Sequence, residues 1–177
     1  LGENFRAVPE TSGNYSLNEQ IRIPLAIRRE GVTLFHAPHY VLPPLVRTRS
    51  VVTIHDCIHL MFPQYLPSRF ALAYARTSIT LAARRATRVM TVSESSKRDI
   101  LRFVDVEPGK IEVIYNSVNC DIYYRNTEIA EEMRREYAPN NQRVLVHLSN
   151  FRPVKRITDV IEIFDRVRKQ IPSRLLL

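Results

Sequence analysis

At 177 residues and 20.6 kDa, the chain is long enough for one ordinary domain or for parts of two. Its 45% hydrophobic and 25% charged residues exclude a disordered tail, a collagen-like repeat and a disulfide scaffold. Two cysteines, Cys57 and Cys120, fit a reducing compartment, the cytoplasm. No apolar run approaches the ~20 residues that cross a bilayer, and the first thirty residues hold no signal-type apolar core. The formal charge is +8, with 15 basic and 10 acidic side chains in residues 1–120 and 11 and 8 in residues 121–177. A positive excess spread in this way suits anionic partners without forming a polybasic tail.

In chain order, a short strand is predicted at residues 5–8, followed by the turn-like Thr11-Ser12-Gly13-Asn14. A helix is predicted from Leu17, with Ile21, Leu25 and Arg28 near one face, Pro24 as a flaw and Gly31 as its stop. Apolar, β-branched runs at residues 32–37 and 50–54 read as strands, and residues 57–68, with two prolines, as a structured loop. Ser68 is placed to cap an Ala-rich helix over residues 69–86. A strand at residues 89–92 leads to Ser93, a second cap, and a helix to about Phe103. Pro108-Gly109 turns into a strand at residues 111–115, and the polar stretch 116–121 is the best domain boundary. Beyond it follow a charged helix (127–137), a strand (144–148), a loop (149–156), a helix to about Lys169 and a last strand. Leu1 is no initiator methionine, and Arg174-Leu175-Leu176-Leu177 reads as a strand broken off halfway. The chain is therefore expected to be a fragment cut at both ends.

Alternation of short apolar strands with helices predicts an α/β fold: a Rossmann-like parallel sheet with helices on both faces. Ligands of such sheets bind outside the carboxyl ends of the strands. Polar residues gather at those ends: His36 and His39, His55 and Asp56, Ser93 and Glu94, Asn116, and Asn150 to Lys155. Four histidines (His36, His39, His55, His59) at spacings of three and four invite a metal reading. No helical H-E-x-x-H frame surrounds them, so contact of His55 with substrate is the preferred role. His147, inside a predicted strand, reads as buried and satisfied. The loop 149–156 carries Arg152, Lys155 and Arg156 just before a helix N-terminus, whose dipole opposes cations. An anionic ligand such as a diphosphate gives them a reason to be there, Arg as a fork and Lys as a point charge.

Several classes drop out. Only four glycines exist, with no Walker A, G-x-G-x-x-G or G-x-S-x-G sequence. No nucleic-acid recognition element is present. The helix 69–86 carries Arg69, Arg76, Arg84 and Arg85 and no acid. With Phe70, Leu72 and Tyr74 beside them, it is either a sheet-packed helix with an arginine rim or a peripheral contact to an anionic, inner-membrane surface. Two rival readings stand: a metal-dependent hydrolase built on the histidines, and a non-catalytic module that binds membrane surfaces.

The segments Val51-Val52-Thr53-Ile54-His55-Asp56, Phe62-Pro63-Gln64-Tyr65, Val89 through Asp99, and Lys110 through Val118 together resemble retaining family 4 glycosyltransferases of the GT-B fold. The first part is similar to bacterial mannosyltransferases of cell-envelope polysaccharide. His147 through Arg156 is similar to N-acetylglucosaminyl malate synthase. The resemblance implies two Rossmann-like domains, here residues 1–118 on the acceptor side and 119–177 opening the nucleotide-sugar side. It implies hexosyl transfer from a nucleoside diphosphate sugar to the hydroxyl of a sugar or lipid-linked acceptor, with no metal or other cofactor. It gives His55 and Asp56 catalytic roles, assigns Arg152, Lys155 and Asn150 to the donor diphosphate, and places His36, His39, Ser93, Glu94 and Asn116 along the cleft. The family's usual Gly-Arg stands here as Ser149-Asn150, which moves the arginine's role toward Arg152, and Asn116-Ser117-Val118-Asn119 replaces Asn-Gly-Val-Asp. A fragment of this kind is expected to show little or no turnover.

Overall fold

A computed structural model describes residues 4–13 and 16–177. The chain divides into two compact units, Leu1–Asn116 and Ser117–Leu177. The first contains helix α1 (Leu17–Arg29), strands β1 (Leu34–Ala37) and β2 (Arg49–Thr53), helices α2 (Ile58–Met61) and α3 (Arg69–Arg85), strand β3 (Arg88–Thr91), helix α4 (Glu94–Phe103) and strand β4 (Ile111–Val113). All four strands run parallel in the order β1-β2-β3-β4. This is the Rossmann-like α/β arrangement expected from the alternation of elements.

Local chemistry explains the helices. Ser16, Ser68 and Ser93 each accept, through the side-chain hydroxyl, a backbone N–H three residues on: from Glu19 at 3.2 Å, Ala71 at 3.2 Å and Ser96 at 3.0 Å. Pro24 lies inside α1 without breaking it, although it leaves the Gln20 carbonyl without its helical donor. The helix stops at Gly31, whose φ of 63° is left-handed, and the Val32 N–H reaches back to the Ile27 carbonyl at 3.0 Å. One core joins Ile27 of α1, Val52 of β2, Ile79 of α3, Val89 of β3, Ile100 of α4 and Ile111 of β4.

The structure departs from the sequence reading in several places. Residues 5–10 form no strand, since an isolated apolar stretch finds no neighbour to pair with. Of the turn predicted at residues 11–14, Asn14 lies outside the described residues. Part of the loop 57–68 is helical: α2, then a single 3₁₀ turn at Pro63–Tyr65.

The second unit holds helix α5 (Thr127–Tyr137), strand β5 (Arg143–Val146), helix α6 (Ile157–Arg168) and strand β6 (Ser173–Leu176). β5 and β6 pair in parallel, with Val144 opposite Arg174 and Val146 opposite Leu176. Asn126 caps α5 by accepting from the N–H groups of Glu128 and Ile129. Every residue of β5 is exposed.

The two cysteines test the burial pattern. Cys57 is fully buried, and desolvation, followed by the negative charges of Asp99 and Asp56, pushes its thiol up to about 12; Cys120 is exposed. Because the thiolate is the reacting species, native chain treated with iodoacetamide at pH 8 should carry one adduct, on Cys120, by peptide mass spectrometry. Rapid native labelling of Cys57 would contradict the core described above.

Candidate functional site

Polar side chains of the first unit meet at the carboxyl rim of its sheet. Ala37 pairs with Val52, Thr53 with Met90 and Thr91 with Val113, so the residues just beyond each strand emerge side by side. His55 follows β2, is exposed, and points Nε2 at the Pro38 carbonyl, 3.1 Å away. A carbonyl only accepts, so this bond puts the ring proton on Nε2 and leaves Nδ1 of the neutral ring with its lone pair.

The loop that supplies Pro38 is held from two sides. Tyr40, 9% exposed, meets the His59 ring edge-on with centroids 6.2 Å apart and carries the His39 ring 4.0 Å away. Asp56 Oδ1 accepts from the Ile58 N–H at 3.0 Å and so starts α2, the helix that delivers His59. The residue read as catalytic beside His55 thus has a local structural bond of its own. Tyr40 escaped the sequence reading; the Pro38-His39-Tyr40 run at a strand end was its only signal.

His36 does not stand at the rim. It sits inside β1, opposite Val51, and its Nε2 lies 2.8 Å from Thr53 Oγ1. Residues two apart on a strand share a face, so this contact is a cross-strand pair. Ser93 and Glu94 do follow β3, but the Ser93 hydroxyl is engaged in capping α4, accepting from the Ser96 N–H and donating to Ser96 Oγ at 3.0 Å. Asn116 is exposed beyond β4 and is the last residue of the first unit. Among the described residues no three His, Cys, Asp or Glu side chains stand close enough together to hold a metal ion. His36 lies within β1 and His59 within α2, so the regular spacing of the four histidines does not bring them to one point.

In the second unit the loop after β5 is organised by its own backbone. The Asn150 carbonyl accepts from the Arg152 N–H at 2.8 Å, and the Arg152 carbonyl accepts from the Lys155 N–H at 2.8 Å. Pro153–Lys155 makes one 3₁₀ turn, and Arg156, left-handed at φ 50°, kinks the chain into α6, whose N-terminus has no side-chain cap. His147 is half-buried just past the strand, not enclosed within it. Its Nε2 bonds Ser149 Oγ at 2.8 Å, and that hydroxyl donates to the Asn150 carbonyl.

The three loop cations separate. Arg156 pairs with Asp159 in the first turn of α6, which accounts for one of them structurally. Arg152 and Lys155 are exposed, and neither makes an ion pair among the described residues. These two, with the Asn150 side chain, remain available to an anion at the open helix end.

Burial lowers the pKa of His39, with the neighbouring charges of His55 and His59 adding to the effect and Asp56 and Glu19 opposing it. The unfolded chain then takes up a proton first as pH falls, so the contribution of His39 to stability declines below its ordinary value of 6.5. The His39 ring signals should titrate below 6.5 in an NMR pH series, and His59→Ala should move the midpoint upward. An unmoved midpoint would separate the two rings.

The family model for Glycosyltransferase Family 4 matches residues 3–122. The chain is 32% identical over 74 residues to N-acetyl-alpha-D-glucosaminyl L-malate synthase of Bacillus anthracis, a match spanning 41% of this chain and 19% of that protein. It is 34% identical over 91 residues to the O-antigen chain mannosyltransferase RfbU of Salmonella typhimurium, spanning 51% and 24%. Among solved structures it superposes on HepE of Anabaena in complex with UDP (18% identity, TM-score 0.66, 88% of this chain and 42% of that one). It also superposes on HepE with UDP-glucose (13% identity, TM-score 0.60, 89% and 50%). These likenesses show a shared GT-B-type fold. The chain spans half or less of the length of each of these relatives.

Proposed function

The chain belongs to glycosyltransferase family 4, and from that premise we propose that it takes part in moving a hexose from a nucleoside diphosphate sugar to an acceptor hydroxyl with retention of the anomeric configuration. One observation carries the reading: Arg152 and Lys155 lie exposed and without an acid partner at an uncapped helix end, where cations are otherwise unfavourable. In this reading the second unit serves the donor and the first the acceptor. As the bond from the sugar to the diphosphate breaks, its electron pair and negative charge pass to phosphate. Fixed cations and the free N–H groups of α6 stabilise that charge as it develops. Arg152 grips two oxygens as a planar fork, Lys155 neutralises a third, and the Asn150 amide donates beside them. With two cations in this place the reaction needs no metal.

His55 belongs to the sugar side of the reaction. Its Nε2–H is held by Pro38, so Nδ1 accepts a hydrogen bond from a sugar hydroxyl, and Asp56 places the helix that keeps the Pro38 loop in position. His39, Glu94 and Asn116 line the rim around it. The complexes of HepE with UDP and UDP-glucose make uridine diphosphate the first donor fragment to try.

Titration calorimetry of uridine and guanosine diphosphates into the chain provides the test. Lys155→Ala should weaken binding by ~1.5–3 kcal/mol, the value of a charged hydrogen bond, and chelation by EDTA should leave it unchanged. His55→Ala should leave diphosphate affinity within about 0.5 kcal/mol, the scatter of a site not in contact, and lower turnover in the transferase. Unaltered affinity in Lys155→Ala would remove that residue from the site.

A further inference from the structure

From Cys57 to Ser93 the sequence runs for 37 residues with five arginines and no aspartate or glutamate. No other stretch of the chain is so one-sided. Three of the arginines are engaged locally. Arg84 reaches Asp105, Arg85 donates to the carbonyls of Pro44 and Val46, and Arg88 donates to the Gly109 carbonyl. Arg69 and Arg76 are exposed on the first half of α3 and make no ion pair among the described residues.

Large apolar groups are exposed on the same stretch of chain. Phe70 is 87% exposed at the start of α3, and Tyr74, one turn on, is exposed as well. Ahead of the helix Phe62 and Tyr65 are exposed, their rings 6.2 Å apart. The inner face of the same helix is occupied: Ala75, Ile79, Ala82 and Ala83 are buried. The outward aromatic groups therefore do not belong to the core.

Topology fixes where this surface lies. α3 connects two parallel strands, leaving the carboxyl end of β2 and returning to the amino end of β3, where the Thr87 N–H bonds the Ser50 carbonyl at 2.7 Å. Its first turns, and the Phe62–Tyr65 segment before them, consequently stand at the rim that carries His55.

We propose that the exposed surface formed by Phe62, Tyr65, Arg69, Phe70, Tyr74 and Arg76 docks on an anionic phospholipid bilayer. Aromatic rings beside arginines on a convex helix face suit the headgroup boundary, where rings insert shallowly and cations meet lipid phosphates. A second copy of the chain fits poorly, because two such faces would oppose arginine with arginine. No groove is needed, and insertion is interfacial: among the described residues no helix is long and apolar enough to cross a membrane. If the transferase reading also holds, docking turns the His55 rim toward the lipid and favours a lipid-linked acceptor. The docking itself does not depend on that reading.

Sedimentation of the whole chain with vesicles tests the proposal. One set is phosphatidylcholine alone and the other phosphatidylcholine with an equal part of phosphatidylglycerol, each at 0.1 M and 1 M salt, where the screening length falls from about 10 Å to 3 Å. Binding should require the anionic lipid and weaken at high salt. The double variant Arg69→Glu, Arg76→Glu should bind at least about 25-fold less, about fivefold per arginine lost. Phe70→Ser should bind about tenfold less. Leu25→Ser, at an exposed apolar position on α1, should bind as the parent does. Circular dichroism should show each variant folded. Equal binding to both vesicles, parent-like binding of the arginine variant, or sedimentation without vesicles, as a self-associating face would give, overturns the proposal.

Discussion

In the first unit the last paired residues are Ala37 with Val52, Thr53 with Met90, and Thr91 with Val113. Four strands therefore stop nearly level, and the chain that leaves each of them must cross the same rim. Parallel strands covered by helices have little freedom to place polar groups elsewhere, because their interior positions are apolar and packed. Val52, Ile54 and Val89 are fully buried, whereas His55, two residues after β2, is exposed. The register that builds the core thus also collects His39, His55, Asp56 and Glu94 at one end. A one-residue slip of β2 would send Val52 to the opposite face and carry His55 with it.

Much of this was legible because the signals were local. Ser68 and Ser93 are both helix caps as expected, since a short hydroxyl side chain before an apolar-periodic run has one favourable use. The helix at Thr127–Tyr137 appears where its charge pattern placed it. Errors came where an outcome depended on partners. Residues 5–8 have strand composition, but a strand exists only if another pairs with it. Residues 57–68 looked like a loop because two prolines punctuate them, yet Asp56 supplies the hydrogen bond that lets Ile58–Met61 turn helical before the first proline.

The loop of the second unit shows where sequence stops being informative. Arg152, Lys155 and Arg156 looked alike as three cations ahead of a helix. The structure distinguishes them through Asp159: only Arg156, in a left-handed conformation at the helix start, is placed to pair with it. Spacing alone cannot show that separation, because it depends on the 3₁₀ turn and the kink between Lys155 and Ile157. His147 is a similar case. Strand composition makes it a core residue, but the strand ends at Val146, and the imidazole turns to Ser149 to brace the same loop.

The histidines of the first unit differ in what each can offer, although the sequence presents them as one set. His36 lies against Thr53 within the sheet. Burial, followed by the charges of His55 and His59, lowers the pKa of His39 against the pull of Asp56 and Glu19. His59 supports Tyr40 through the edge of its ring. Only His55 combines exposure with a defined tautomer, because the Pro38 carbonyl holds its Nε2–H. That carbonyl stays in place because Tyr40 is packed two residues further on, and Tyr40 is packed because α2 brings His59 against it. A group positioned by such a chain of contacts can present a lone pair in a fixed direction without spending further conformational entropy when a substrate arrives. His36 is exposed as well, but its partner is a hydroxyl that can donate or accept, which leaves its tautomer open, whereas the Pro38 carbonyl fixes that of His55.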